Sequence, residues 1–162
     1  MANKESEEDP EKNKVALNIQ VFKAADRDAV IELWRRCDLL RPWNDPHKDI
    51  ERKLADSPDL FFVAYLSEAE DDKEASLVAA AMAGYEGHRG WVNYLAVDPD
   101  YQGRGVGRSL MRQIEAELLS RGCPKINLQV RETNSDVIAF YHSLDYKVDA
   151  AVSMGKRLIP DN

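Results

Sequence analysis

Cysteine and histidine are scarce in this sequence: two of the first, Cys37 and Cys123, and three of the second, His47, His88 and His142. The cysteines stand far apart with no C-x-x-C, which excludes a disulfide framework or a zinc knuckle. They read as free buried thiols, and a reducing, cytoplasmic setting is expected. The histidines lack the H-E-x-x-H spacing, so no metal centre is expected. Long apolar runs are also missing, so no membrane span is expected. The opening "MANKESEEDPEKNK" has no apolar stretch of the kind that marks a secretory signal. Positive charge is in deficit, with 22 Lys and Arg against 29 Asp and Glu and a net charge of −7. That excludes the basic stripe a nucleic-acid binder needs.

What is present is enough for a core. Hydrophobic residues make up 44% of 162 residues, which suits one domain of ordinary size. Residues 1–14 are too polar to bury surface and read as a flexible leader, with a single domain over 15–162. "ALNIQVF" alternates as a strand does. "DRDAVIELWRRC" is helical, with Asp26 as its expected N-cap and Val30, Leu33, Trp34 and Cys37 on one face. A loop, "DLLRPWND", leads to a second helix with Asp45 as cap and Pro46 at its first position. "LFFVAYL", "SLVAAAMAGYEG" and "GWVNYLAV" are three successive strands, the first two joined by the charged hairpin loop "SEAEDDKEA" and the last two by the turn "EGHRG". A long amphipathic helix follows, ended by Gly122 and Pro124. "KINLQVRE" is a strand, "NSDVIAFYHSL" a helix capped by Asn134 or Ser135, and "YKVDAAVSMGKRLI" is expected to close with one or two strands. The order β-α-α-β-β-β-α-β-α-β(-β) is that of an α/β protein with a mixed, mostly antiparallel sheet flanked by helices.

Between the third strand of that series and the long helix lies "YQGRGVGRSL". Gly103, Gly105 and Gly107 stand at alternate positions beside Arg104 and Arg108. No Lys-Ser/Thr follows the last glycine, so it is not a Walker A loop. The spacing is G-x-G-x-G rather than G-x-G-x-x-G, and it comes too late in the chain for a Rossmann fingerprint. What remains is a strand running through glycines into a helix, whose free N–H groups and dipole favour an anion such as a diphosphate. A turn that needs glycine only for its own geometry is the alternative reading.

"LAVDPDYQGRGVGRSLM" resembles the acyl-CoA-binding signature of the GNAT N-acetyltransferases, Q/R-x-x-G-x-G/A, with Gln102, Gly105 and Gly107 at its fixed positions. "NSDVIAFYHSLDY" is similar to the family's "N…A…FYxxxGF". "CDLLRPWNDPHKDIERKL" and "GYEGHRG" look like the YpeA-like bacterial subgroup. The resemblance covers residues 16–156 in the right element order. It implies the acyl-CoA N-acyltransferase fold, with acetyl-CoA held where the fourth and fifth strands splay apart. It further implies cofactor contacts from Leu95, Ala96 and Val97, from Gln102, Gly103, Arg104, Gly105, Val106, Gly107 and Arg108, and from Asn134. Tyr141 matches the family tyrosine near the CoA sulfur, and the resemblance gives it the role of general acid for the leaving thiolate. The implied reaction is direct attack of a primary amine (small molecule, amino acid or protein amine) on the thioester.

Two familiar carboxylate positions are filled otherwise, by Trp91 and by Gln129 in "LQVR". Glu86 and His88 are then the candidates for a base acting through water. The acceptor is expected against the loop between the first two helices, at Arg41, Trp43 and Asn44; turn shaping and helix capping explain the same residues. Where the family has glycine after the tyrosine helix, Asp145 stands, and it is expected to adopt the left-handed conformation at modest cost. A non-catalytic CoA-binding or regulatory module, and a nucleotide-binding protein, are the competing readings. The resemblance also allows a homodimer.

Overall fold

The computed structural model of the chain describes residues 16–67 and 75–161. The leader expected over 1–14 and most of the charged connection after Ser67 lie outside the described residues. The elements are β1 (Ala16–Val21), α1 (Arg27–Arg36), α2 (Pro46–Asp56), β2 (Phe61–Ser67), β3 (Ser76–Tyr85), β4 (Gly90–Val97), α3 (Val106–Ser120), β5 (Ile126–Leu128) and α4 (Ser135–His142). The sheet runs β1-β2-β3-β4-β5 in space, antiparallel except for the parallel β4–β5 pair. That pair is the one joined through a helix, α3, as a parallel connection requires.

Strand alternation assigns each side chain to one of two cores. In β2, Phe62, Ala64 and Leu66 face α3, with Val106, Leu110, Ile114 and Leu118. Phe61 and Val63 face the other way, onto Val30, Leu33 and Trp34 of α1 and Ile50 of α2. Phe61 is fully buried and stacks on Phe22 at 4.2 Å; each such ring contributes about 1.5–3 kcal/mol of burial. The alanines of β3 let helices approach from both sides: Ala81 and Ala83 belong to the α3 core, Ala80 to the α1 core.

Helix ends follow from the same local chemistry. Asp45 caps α2 by accepting from the N–H groups of His47 (2.9 Å) and Lys48 (3.4 Å), with Pro46 in the first turn. Helix α3 ends in a Schellman motif: Gly122 has φ 79°, its N–H donates to Leu119 O, and Cys123 N–H donates to Leu118 O. Helix α4 ends the same way around Asp145, at φ 68°, with Asp145 N–H to His142 O and Tyr146 N–H to Tyr141 O. The aspartate expected to stand in for glycine therefore does so.

Three expectations are corrected. Asp26 stands at the N-cap position of α1, but its side chain makes no capping hydrogen bond to that helix. A short 3-10 turn over Ala24–Asp26 precedes the helix, and the buried Asp26 carboxylate accepts from Lys23 N–H (2.7 Å) and from the Tyr65 hydroxyl (2.5 Å). The strand expected over 125–132 is only Ile126–Leu128. The closing strands expected after residue 145 do not form. Residues 147–153 run beside β5 but are tied to it through side chains: Lys125 Nζ and Asn127 Nδ2 donate to Asp149, and Gln129 Nε2 donates to Ser153 Oγ. Among the described residues no backbone ladder joins this segment to the sheet. Its alternate apolar residues stay exposed, Val148 at 80% and Val152 at 87%.

Candidate active site

The β4–β5 ladder has three pairs, Gly90–Ile126, Trp91–Asn127 and Val92–Leu128, and then stops. β4 continues to Val97 while β5 ends. Beyond Val92 the β5 side of β4 has no strand partner, which is the seam where the family resemblance puts the cofactor. Within the same stretch the β3–β4 register shifts: Ala80 faces Ala96 but Met82 faces Asn93, so Tyr94 and Leu95 together oppose Ala81. Tyr94 takes φ 53°, rare for an aromatic residue. It is held there by stacking on Trp34 (4.2 Å) and by donating its hydroxyl to Asp49 Oδ2 (2.6 Å). A bulge of this kind bends its strand and turns the residues within it.

The glycine run lies at the end of β4, after Asp98 and a 3-10 turn over Pro99–Tyr101. Its three glycines do two jobs. Gly103 (φ 76°) and Gly105 (φ 79°, the N-cap of α3) are left-handed, and nothing lies within 4 Å of an added Cβ at either. The backbone there is open to an incoming group. Gly107 is ordinary helix, but an added Cβ would meet Phe140 Cζ at 3.1 Å and Val97 Cγ2 at 3.4 Å. It brings α3 against β4 and α4. Arg104 lies over the Tyr101 ring at 5.1 Å, and Arg108 donates to Ser143 O (3.4 Å) and Oγ (3.1 Å). Gln102 Nε2 donates to Val97 O (3.0 Å), as does Cys37 Sγ (3.2 Å). These two donors occupy both lone pairs of that carbonyl. Val106 is buried beneath the loop, and Ala96 is buried on the α1 side.

Tyr141 is buried in α4, its ring edge-on to Phe140 (5.1 Å) and Tyr146 (5.6 Å). Among the described residues its hydroxyl has no hydrogen-bond partner. Burial alone pushes its phenol above the usual range, so it is a proton holder and hydrogen-bond donor at neutral pH. It borders a cavity of about 1600 Å³ shared with Trp91, Leu128, Gln129 and Val152. Asn134 caps α4, accepting from Val137 N–H at 3.4 Å.

The remaining expected residues are placed less favourably. The Glu86 carboxylate accepts from the backbone N–H groups of His88 (2.9 Å) and Arg89 (3.0 Å), which hold it below the usual carboxylate range. Both Glu86 and His88 precede Gly90, the first residue of β4, and Leu95 lies five positions further along that strand. The Glu86 carboxylate is thus tied into the turn that precedes β4. Arg41 is turned onto its own loop, donating to Leu40 O (2.8 Å) and Asp38 Oδ1 (3.2 Å). Trp43 is 51% exposed. Asn44 Oδ1 accepts from Arg157 Nη2 at 2.9 Å.

The profile of the Acetyltransferase (GNAT) family matches residues 27–146, from the first residue of α1 to the end of the α4 cap. The chain belongs to this family. An acetyltransferase of Pectobacterium atrosepticum is 50% identical over 145 residues, covering 90% of this chain and 98% of its own. One from Sodalis glossinidius is 51% identical over 146 residues with the same coverage. Among solved structures, Ard1 from Thermoplasma volcanium superposes with a TM-score of 0.70 at 22% identity, over 84% of this chain and 86% of its own. The ribosomal-protein-S18-alanine N-acetyltransferase from Escherichia coli gives 0.61 at 25%, over 80% and 76%. The GNAT chain is thus an acyltransferase on a GNAT fold. No helix among the described residues is long and apolar enough to cross a membrane.

Several residues of the site left no mark in the sequence. Tyr94 has no local signal, because nothing in "VNYLA" announces a left-handed aromatic. Cys37 reads as a core position and yet reaches the end of β4. Arg52 was legible only as a helix cation three residues from Asp49; its second partner, Asp161, is 109 residues away.

Proposed function

We propose that the protein transfers an acetyl group from acetyl-CoA to a primary amine by direct attack. The open seam beside the β4 bulge, ending on two left-handed glycines with free space above them, carries this reading. Acetyl-CoA supplies the acetyl group as an activated thioester. The backbone N–H groups from Gly103 to Arg108, at the positive end of α3, hold its diphosphate, and Arg104 adds charge. The bulged backbone at Leu95, with Ala96 and Val97, lines the pantetheine arm. Asn134 contacts the cofactor at its own carbonyl or amide while capping α4.

Tyr141 donates its O–H to the leaving sulfur. A buried phenol above its ordinary value near ~10 is a weaker acid than a thiol near ~8.5. Its part is therefore to stabilise the thiolate by a hydrogen bond rather than to surrender the proton outright. No side chain is assigned as base, and the amine enters unprotonated or loses its proton to water. The acceptor lies between α2 and the seam, near Asn44 and Tyr94. The relationship to a ribosomal-protein alanine N-acetyltransferase makes a protein N-terminus one acceptor to include in the trial. The test is a panel of small amines, amino acids and peptides incubated with acetyl-CoA, read by thiol release and by product mass. Release of CoA with a product heavier by one acetyl group is expected. Tight CoA binding with no turnover on any amine would leave a binding module instead.

A further inference from the structure

The last described residues, 157–161, fold back over the start of α2. The Asp161 side chain is 1% exposed and is the deepest carboxylate contact there. Arg52 grips it with both terminal nitrogens, Nη2 to Oδ1 at 2.5 Å and Nη1 to Oδ2 at 3.0 Å. This is the bidentate fork that arginine forms with carboxylates. The backbone N–H of Asp45 donates to Oδ2 at 3.3 Å. Lys48 Nζ donates to the Asp161 carbonyl at 3.0 Å. Arg52 also contacts Asp49 Oδ1 (3.1 Å), and Asp49 accepts from Tyr94, the residue of the β4 bulge. A short polar chain therefore joins the Asp161 carboxylate to the mouth of the seam.

The tail is held by these polar contacts and by the bond from Arg157 Nη2 to Asn44 Oδ1. Leu158 and Ile159 are 83% and 66% exposed. A gap of about 550 Å³ separates Arg52 from residues 155–159. The Arg52 side chain is still 48% exposed, so solutes reach it. A segment with no apolar anchor is one that a free ligand can replace.

We propose that Arg52, Lys48 and the Asp45 N–H form a carboxylate subsite of the acceptor site, filled in this structure by the chain's own Asp161. The favoured acceptor is then an amine that also carries a carboxylate, and the tail competes with it in cis. This rests on the acetyl-transfer reading for the word acceptor, but its test needs no turnover. A tethered competitor acts at an effective concentration on the order of mM, so its removal sharpens binding of weak free carboxylates.

The experiment titrates propionate, and separately its neutral isostere propionamide, into the full chain, into D161N and into a chain lacking residues 157–162. The readout is the ¹H–¹⁵N shifts of the Asp45 amide and the Arg52 Nε–H group. Propionate is expected to bind D161N or the shortened chain at least fivefold more tightly than the unaltered protein. Propionamide should move neither signal, and adding R52Q to D161N should abolish the effect. Equal propionate affinity in all three chains, or equal response to the amide, overturns the proposal and leaves Asp161 a tether. Binding as expected with no acetyl transfer to any amine tells against the proposed reaction, not against the subsite.

Discussion

Alanine at Gly105 and alanine at Gly107 should act on stability for different reasons, which one further substitution separates. At Gly105 an added Cβ meets nothing within 4 Å, but φ is 79°. The cost is backbone strain, about 1–2 kcal/mol. At Gly107 the backbone is ordinary helix, and the Cβ would sit 3.1 Å from Phe140 Cζ and 3.3 Å from Cε2. Overpacking of this kind costs about 1–3 kcal/mol, offset by roughly 1 kcal/mol of helix propensity. For a chain of this size each kcal/mol lowers Tm by about 2–4 °C. Phe140→Leu removes the ring edge that Gly107→Ala would strike. Its own cost should therefore shrink by about 1 kcal/mol in the Gly107→Ala background and stay unchanged, within ~0.5 kcal/mol, in the Gly105→Ala background. Urea unfolding of the six chains, followed by far-UV circular dichroism, closes both cycles. Equal coupling in the two backgrounds, or none at Gly107, would refute the division of labour between these glycines.

Asp145→Gly should raise stability by about 0.5–1 kcal/mol, seen as a higher urea midpoint, because glycine takes the φ of 68° without strain. Tyr141→Phe should lower kcat about tenfold or more while CoA affinity, measured by calorimetry, changes less than twofold; equal loss of both would remove Tyr141 from the reaction. Asp161 is held well below the usual carboxylate range, chiefly by its hydrogen bonds to Arg52. A depressed folded value means the tail's docking is fully stabilised above the unfolded value near ~4 and is lost as pH falls through the folded one. The Asp45 amide shift should therefore report tail release on acidification below about pH 4 in the unaltered chain, and D161N should flatten that limb.

The parts of the fold that were legible are those whose cause is local. The short continuous apolar run "LFFVAYL", helical spacing in "VGRSLMRQIEAELL" and the Asp45-Pro46 cap each specify their own element, and each is where it was expected. Even the departure at Asp145 could be read, because a helix end has fixed geometry. Asp26 misled because its carboxylate is claimed by Tyr65, from a strand 39 residues on. The closing strands misled because "YKVDAAVSM" alternates correctly, yet ladder formation depends on how its neighbours hold it. The glycine run was legible as a motif, but its glycines look alike in sequence and differ in the fold. The Arg52–Asp161 contact is wholly long-range and had no signature.

The three-pair β4–β5 ladder has a mechanical consequence. It is a fault line: everything on its far side, β5 and the segment beside it, hangs from the sheet by few backbone bonds. Local opening should run along this line first, with Ile126–Leu128 amides exchanging well before those of β2 and β3. Any molecule that bridges the seam then becomes a rivet, and its binding energy is spent partly on closing the crack. Stiffening on ligation should accordingly be felt most in β5, the shortest strand of the sheet.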